Sequence, residues 1–488
     1  MVDVITKKQN GVVFTPEWVV AFMVEEVFRG RSITGNEKIL DAGCGDGIFA
    51  ALATRVFSDL SGKSVKDVIE NNIYFIDVSA EYVEKTKERL RSLSKETVKK
   101  FNAVVGDFCF HDFHNHFDLI IGNPPYVRIQ NLNDRRELLQ KRYISTSNGS
   151  IDLYFCFFER ALQLLSNNGA ISFITPNSHI YSAAGRHLRM ILLPHVTKII
   201  NFDHFQIFKD ATAYTAITFL QKQKTRDFLY ANHHAENLGN IKYKKILSEN
   251  MRTLRWEFFD EEHVAKITHL SGMYSTLHDV ADIHYGIATL KDDIYIFSPD
   301  KTDSEYFYRA DFKIERDLCV PIIKASTYKG KNQDLFLIFP YRNERIIPEN
   351  IFRKEFPEAY LYFNHHRSVL ESRDKGGGKE YEEFYAFGRS QGLRTSFGRK
   401  ILTSTMNKEP RFYIIEDSKM SFYAGYCIKP KNGLDIYELC DTLNSNAMKE
   451  YIEAVSKSYR GGYKSYAKSF LKDFIHPQFR KTQEVLFR

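Results

Sequence analysis

The sequence predicts an α/β fold: a Rossmann-like, doubly wound and mostly parallel sheet, followed by a second, mixed α/β domain. Three observations predict it. Short apolar runs at residues 38–42, 72–77, 103–107 and 117–122 alternate with helical patterns, the rhythm of βαβ units. Each run delivers a polar residue at or beside its end, and open α/β sheets bind ligands at the C-terminal ends of their strands. At 488 residues the chain exceeds one typical core, so at least two domains are expected.

The first run passes through Asp41 into Gly43-Cys44-Gly45-Asp46-Gly47, and a helical pattern follows through Ala50, Ala51, Ala53 and Val56. Glycines at such a turn permit positive φ and let backbone N–H groups approach a ligand. Asp41, ahead of the glycines, would repel a pyrophosphate; it suits a ligand carrying an amine, such as the methionine part of S-adenosylmethionine. The second run ends at Asp77, where a carboxylate can take both hydroxyls of a ribose. The third ends at Asp107-Phe108, an acceptor for an adenine amino group with a ring to pack beside it. Taken singly, each Asp reads as a helix N-cap or turn residue. Together with Asn123 they stand at the ends of four successive strands, which that reading does not explain.

The fourth run leads into Asn123-Pro124-Pro125-Tyr126. The Asn oxygen can accept a hydrogen bond from an exocyclic amino group. The prolines stiffen the loop and leave carbonyl oxygens as further acceptors, and Tyr126 offers a face on which a base can stack. By itself the tetrapeptide also fits an ordinary Asn-Pro turn after a strand.

In this order the motifs resemble those of the gamma-class DNA adenine-N6 methyltransferases, the TaqI-like modification enzymes of type II restriction–modification systems. Phe14-Thr15-Pro16-Glu17-Trp18 resembles the family's N-terminal cofactor motif. Residues 152–161 and 169–177 are similar to its helix and fifth strand, and Phe208-Lys209-Asp210-Ala211-Thr212-Ala213-Tyr214 to its late motif. The resemblance covers residues 10–222 and is loose beyond them. It implies an S-adenosyl-L-methionine-dependent methyltransferase sheet and double-stranded DNA as partner. It implies that Thr15 shapes the cofactor pocket, that Asp41, Gly43 and Gly45 line the methionine side, that Asp77 takes the ribose, and that Asp107 and Phe108 take the adenine. Asn123 and the Pro124 carbonyl would grip the target amine, and Tyr126 and Phe208 would sandwich the flipped-out base. Phe202 and Phe205 compete with Phe208 for that last role. A tetrapeptide opening on Asn favours adenine N6 over cytosine N4, for which the family's motif begins with Ser.

The expected boundaries are a catalytic domain at 1–225, a connecting segment at 226–275 and a target-recognition domain at 276–488. The apolar stretch 213–220 is expected as a late antiparallel strand, and the two domains are expected to form a cleft for duplex DNA. Candidate DNA-facing stretches in the second domain are 324–333, 388–394 and 458–466, where Gly and aromatic residues interleave with cations. They offer Lys324, Arg389, Gln391, Arg394, Arg460 and Lys464. Each stretch taken alone also reads as a solvated loop. Residues 374–379, with three consecutive glycines, read as a flexible tip.

Composition excludes more than it identifies. Lys and Arg number 68 against 61 Asp and Glu, a net +7. The balance is 27 to 24 over residues 1–225 and 41 to 37 beyond, so charge alone points to no nucleic-acid partner. Six scattered cysteines without a C-x-x-C pair suggest neither a zinc site nor a disulfide framework and fit reduced thiols. His111, His114 and His116 lack a matching carboxylate or Cys frame and read as a solvated loop, so no metal is expected. No signal peptide or 18-residue apolar run is present, which favours a cytoplasmic protein away from membranes. The sequence leaves the oligomeric state open, with a monomer slightly favoured, and any cognate restriction endonuclease is expected to be encoded separately. The rival readings are an RNA or protein-glutamine methyltransferase, since such enzymes also carry Asn-Pro-Pro-Tyr, and a non-catalytic DNA-binding protein that keeps the fold.

Overall fold

The computed structural model describes residues 14–480 except 130–131, 133–134, 148–150, 209–212, 252–255, 332, 374–380, 432, 457 and 460. The chain divides into two compact units: residues 1–265 with 457–461, and residues 266–456 with 462–488.

The first unit is built on a sheet whose described strands are β1 (Ile39–Ala42), β2 (Ile73–Asp77), β3 (Asn102–Val105), β4 (Phe117–Gly122), β5 (Leu165–Pro176), β6 (Val196–Asn201), β7 (Thr215–Gln221), β8 (Asp227–Asn232) and β9 (Lys244–Leu247). Their spatial order is β3-β2-β1-β4-β5-β7-β6-β8-β9. Strands β3, β2, β1, β4 and β5 pair in parallel. Strand β7 runs antiparallel between β5 and β6, as expected from the apolar stretch 213–220.

The strands sort their side chains by alternation. Leu40 and Ile120 point into one core with helix Tyr154–Leu164, while Ile39, Leu119 and Ile121 point into the other with helices α1 (Glu17–Phe28) and α2 (Ile48–Ser61). Burial on both faces is why these runs are almost continuously apolar.

One boundary is corrected. Residues 227–247, expected to connect the domains, supply β8 and β9 to the first sheet: β8 pairs in parallel with β6, and β9 antiparallel with β8. Phe228, Tyr230 and Ile246 bury themselves in the first core, which outweighs the polar average of the segment. The second unit is a patchwork of short strands. Ala281–Tyr285, Gly425–Pro430, Lys400–Ser404 and Phe412–Ile415 form one antiparallel sheet. Ile296–Phe297, Phe336–Ile338, Cys319–Lys324 and Ser421–Tyr423 form a mixed sheet, in which Cys319–Lys324 pairs antiparallel with Phe336–Ile338 and parallel with Ser421–Tyr423. Helices include Glu349–Glu355, Pro357–His365, Ile436–Leu443 and Asn446–Val455.

Candidate active site

A cavity opens at the C-terminal edge of β1, β2, β3 and β4. Thr15, Gly43, Gly45, Asp77, Asp107, Phe108 and Asn123 line it, together with Phe14, Cys44, Asp46, Tyr82, Arg135 and Phe157. The sequence reading names the first seven and misses the rest. Tyr82 had a signal: it lies in the first turn of α3 (Ala80–Leu93), and the helix after a parallel strand starts at the ligand edge. Arg135 had none, because it opens a short helix in a polar stretch without apolar period.

The glycine turn is shaped by its backbone. Gly43, Gly45 and Gly47 adopt φ of +79°, +53° and +80°. A Cβ on Gly47 would stand 2.8 Å from Cα of Thr86, so α2 and α3 can approach only with glycine there. The turn is tied to β2: the Gly43 and Cys44 N–H groups donate to the Ile76 carbonyl at 3.0 Å, and the Gly45 N–H donates to Asp77 Oδ2 at 3.1 Å. Asp77 Oδ1 accepts from the Ser79 N–H at 2.9 Å. Burial raises the Asp77 carboxyl above the usual range, and these backbone N–H donors oppose the shift.

Asp107 Oδ1 accepts from the Cys109 N–H at 3.0 Å, and its Oδ2 is paired with Arg135. Phe108 packs against Phe157, with ring centroids 4.8 Å apart. On the opposite wall, Asn123 Nδ2 donates to Thr15 Oγ1 at 3.0 Å. That bond spends the nitrogen of the amide on Thr15 and makes the oxygen its acceptor end. Three carboxylates, Asp46, Asp77 and Asp107, line the cavity; Asp46 pairs with Arg89 at 3.0 Å and Asp107 with Arg135, so the excess acidity of the wall rests on Asp77. Such a wall suits a ligand bearing positive charge, as an ammonium and a sulfonium do.

Two sequence expectations are corrected here. Asp41 is not on the cavity wall. It is 1 % exposed, and its Oδ2 accepts from the Ala50 N–H at 3.0 Å, so it caps the start of α2 from beneath. Alternation along β1 turns it inward, and burial pushes its carboxyl up to about 8. Tyr126 and Phe208 do not face each other across a gap. Their centroids are 6.0 Å apart at 75°, an edge contact, whereas a base held between parallel rings needs two spacings of about 3.5 Å. Phe208 belongs to the buried core, and the Tyr126 hydroxyl is enclosed, with no hydrogen-bond partner among the described residues. Pro124 is buried, and Pro125 is the proline that lines the cavity.

In the second unit, Arg389, Gln391 and Arg394 lie exposed on one loop. The loop is held by its backbone to residues 286–289: the Gly388 N–H donates to the Thr289 carbonyl and the Arg389 N–H to the Ala288 carbonyl, and Gln391 Nε2 donates to the Gly286 carbonyl at 3.2 Å. Arg394 has one long pairing, 3.9 Å to Glu344. Lys324 lies half-buried over the Tyr423 ring, and Lys464 sits within strand Tyr463–Ser465. Arg460 and the tip 374–379 lie outside the described residues.

Comparison with known proteins finds restriction-modification relatives. The Eco57I restriction-modification methylase family matches residues 56–208. The Escherichia coli type II restriction enzyme and methyltransferase RM.Eco57I is 25% identical over 71% of this chain, which spans 39% of that enzyme. The type II methyltransferases M.BstVI of Geobacillus stearothermophilus and M.BanIII of Aneurinibacillus aneurinilyticus are 22% and 23% identical, over 96% and 99% of this chain and 90% and 92% of theirs. Among solved structures, the type IIL restriction-modification enzyme MmeI in complex with DNA shares the fold, with a TM-score of 0.59 at 12% identity, over 94% of this chain and 66% of that one. With the strand order, these comparisons make the chain similar to the type II restriction-modification methylases, the Eco57I kind over residues 56–208, and the methyl donor of such a methyltransferase is S-adenosyl-L-methionine.

Proposed function

We propose that this protein methylates N6 of a flipped-out adenine within a short specific sequence of duplex DNA, as the modification arm of a restriction–modification system. One observation carries the reading: the Asn123 amide, oriented by Thr15, stands on the wall of the cavity that Asp77 and Asp107 also line. Asp77 would hold the ribose of S-adenosylmethionine, Asp107 and Phe108 its adenine, and Gly43 and Gly45 its methionine side. When bound, the cofactor supplies an electrophilic methyl group on a sulfonium.

The residues of the chain then have a defined task. An adenine N6 amine is a weak nucleophile because its lone pair is shared with the ring. The Asn123 oxygen and the Pro124 carbonyl accept hydrogen bonds from the amine and favour a pyramidal nitrogen with a localised lone pair. Holding that nitrogen in line with the methyl replaces a bimolecular encounter. No strong base is needed before attack, since the proton becomes acidic only as the methyl transfers, and the tetrapeptide contains none. Extruding the base costs about a few kcal/mol, of which stacking on Tyr126 returns on the order of 1–3 kcal/mol. In this reading Phe208 braces Tyr126 from the edge. The second unit would read the sequence, with the 388–394 loop contacting DNA, and a separately encoded endonuclease would cut the same unmodified site. Both would act in the cytoplasm; no described helix is long and apolar enough to cross a membrane.

The test is single-molecule sequencing of DNA from a methylation-deficient host expressing this chain, beside an Asn123→Ala control. N6-methyladenine at one motif, absent in the control, is the expected result. N4-methylcytosine at a motif would reassign the base. No modified motif, from protein that binds S-adenosylmethionine, would move the substrate to RNA or protein.

A further inference from the structure

Strands β6 and β8 are parallel neighbours, with Asn201 registered against Asn232. Two residues beyond each stand Asp203 and His234, which the register therefore brings to one level of the sheet edge; His204 follows Asp203. Asp203 adopts φ +52°, an uncommon conformation for a non-glycine residue, and its N–H donates to Asn201 Oδ1 at 3.1 Å. Asp203 Oδ2 lies 3.3 Å from His204 Nδ1 and 3.3 Å from His234 Nε2, and the three donor atoms all fall within 4.8 Å of one another. The two imidazole centroids are 4.5 Å apart.

Asp203 and His204 are within hydrogen-bond reach at 3.3 Å, at the long end for an N–H···O bond. The two carboxylate–imidazole separations match an edge of a coordination tetrahedron: bonds of about 2.0–2.2 Å place neighbouring ligands about 3.3–3.6 Å apart. The Asp203 side chain is only 4% exposed, while those of His204 and His234 are 30% and 45% exposed. A buried carboxylate with two partly exposed imidazoles above it would hold a cation from beneath and leave a coordination position toward solvent.

We propose that Asp203, His204 and His234 form a binding site for one divalent transition-metal ion, zinc foremost, apart from the methyl-transfer site. Two imidazoles and a carboxylate are a donor set zinc takes readily. Bridging the ends of β6 and β8 would also pin the segment after β6, which carries Phe205 and Phe208. The three histidines conspicuous in the sequence, at 111, 114 and 116, are not part of the cluster; its ligands are brought together by the sheet.

The full chain, stripped with EDTA, would be titrated with Zn2+ in competition with a chromophoric chelator, and with Co2+ for its visible ligand-field bands. One metal per chain is expected. His234→Ala and His204→Ala should each weaken binding by at least about tenfold and abolish the cobalt bands, whereas His114→Ala should leave both unchanged. His234 is exposed, so its variant keeps the metal-free circular dichroism and melting temperature of the parent chain. Equal zinc affinity in parent and His234→Ala, or cobalt bands that survive that change, would overturn the site.

Discussion

The two units differ in how they bring polar residues to a place where they can act. In the first, consecutive parallel strands all end at one edge, so Asp77, Asp107 and Asn123, about 16 to 30 residues apart in sequence, meet around one cavity. In the second, short, mostly antiparallel strands turn the chain many ways, and the cations that stand out in sequence have diverse fates. Lys324 lies along Tyr423, Lys464 is built into a strand, and Arg389, Gln391 and Arg394 share one exposed loop. A parallel sheet converts a local feature, the end of a strand, into a shared location. A patchwork of hairpins does not.

Substitutions can break or sharpen that contrast, and the largest effect belongs to the first unit. Asn123→Ala should lower the methyl-transfer rate by about 10²- to 10³-fold, comparable to removal of one preorganised hydrogen-bonding group, while S-adenosylmethionine affinity by calorimetry stays near that of the parent. Equal loss of binding and rate would make Asn123 a wall residue and not the amine grip. Asp77→Ala should weaken cofactor binding by about 10- to 100-fold, the worth of charge-assisted hydrogen bonds, and unchanged calorimetric affinity would remove Asp77 from the ribose role.

Asp41 gives a test in which the sheet edge acts on stability alone. Its carboxyl is raised from 3.8 to about 8 in the folded protein, so the folded state binds the proton more tightly than the unfolded one. Its contribution to stability is therefore fully present below about pH 4 and is lost as pH rises toward 8. Melting curves should show Asp41→Asn gaining on the parent across that interval, by a few degrees at its upper end. A difference that stays flat with pH would mean that Asp41 titrates normally.

In the second unit the expected effects are small and of another kind. Arg389→Ala or Arg394→Ala should weaken DNA binding on all sequences alike and reduce the slope of log affinity against log salt by about 1, the mark of a lost phosphate contact. Relaxed preference at one base position would instead make that arginine a base reader and bring the second unit closer in character to the first.

Several parts of the site were legible because they depend on neighbours in sequence. The glycine turn, the carboxylates after β2 and β3 and the tetrapeptide after β4 each follow from a strand ending where its apolar run ends. The late antiparallel strand was legible from its own apolar run. Asp41 was misplaced because being next to a strand end does not say which way a side chain turns; alternation carries it under α2. Segment 227–247 was misread because its average is polar, although Phe228, Tyr230 and Ile246 bury in the core.

The sequence by itself determined the class of sheet, the edge at which the candidate site lies and the chemical kinds of residue waiting there, because hydrophobic period and strand ends are local properties. Only the tertiary structure decided that Thr15 orients Asn123 across 108 residues, that Arg135 pairs with Asp107, that Phe208 meets Tyr126 edge-on and that Asp203, His204 and His234 converge. Those contacts depend on strand register and on the packing of distant segments. Both are fixed by burial of the whole core, and no single stretch of sequence records them.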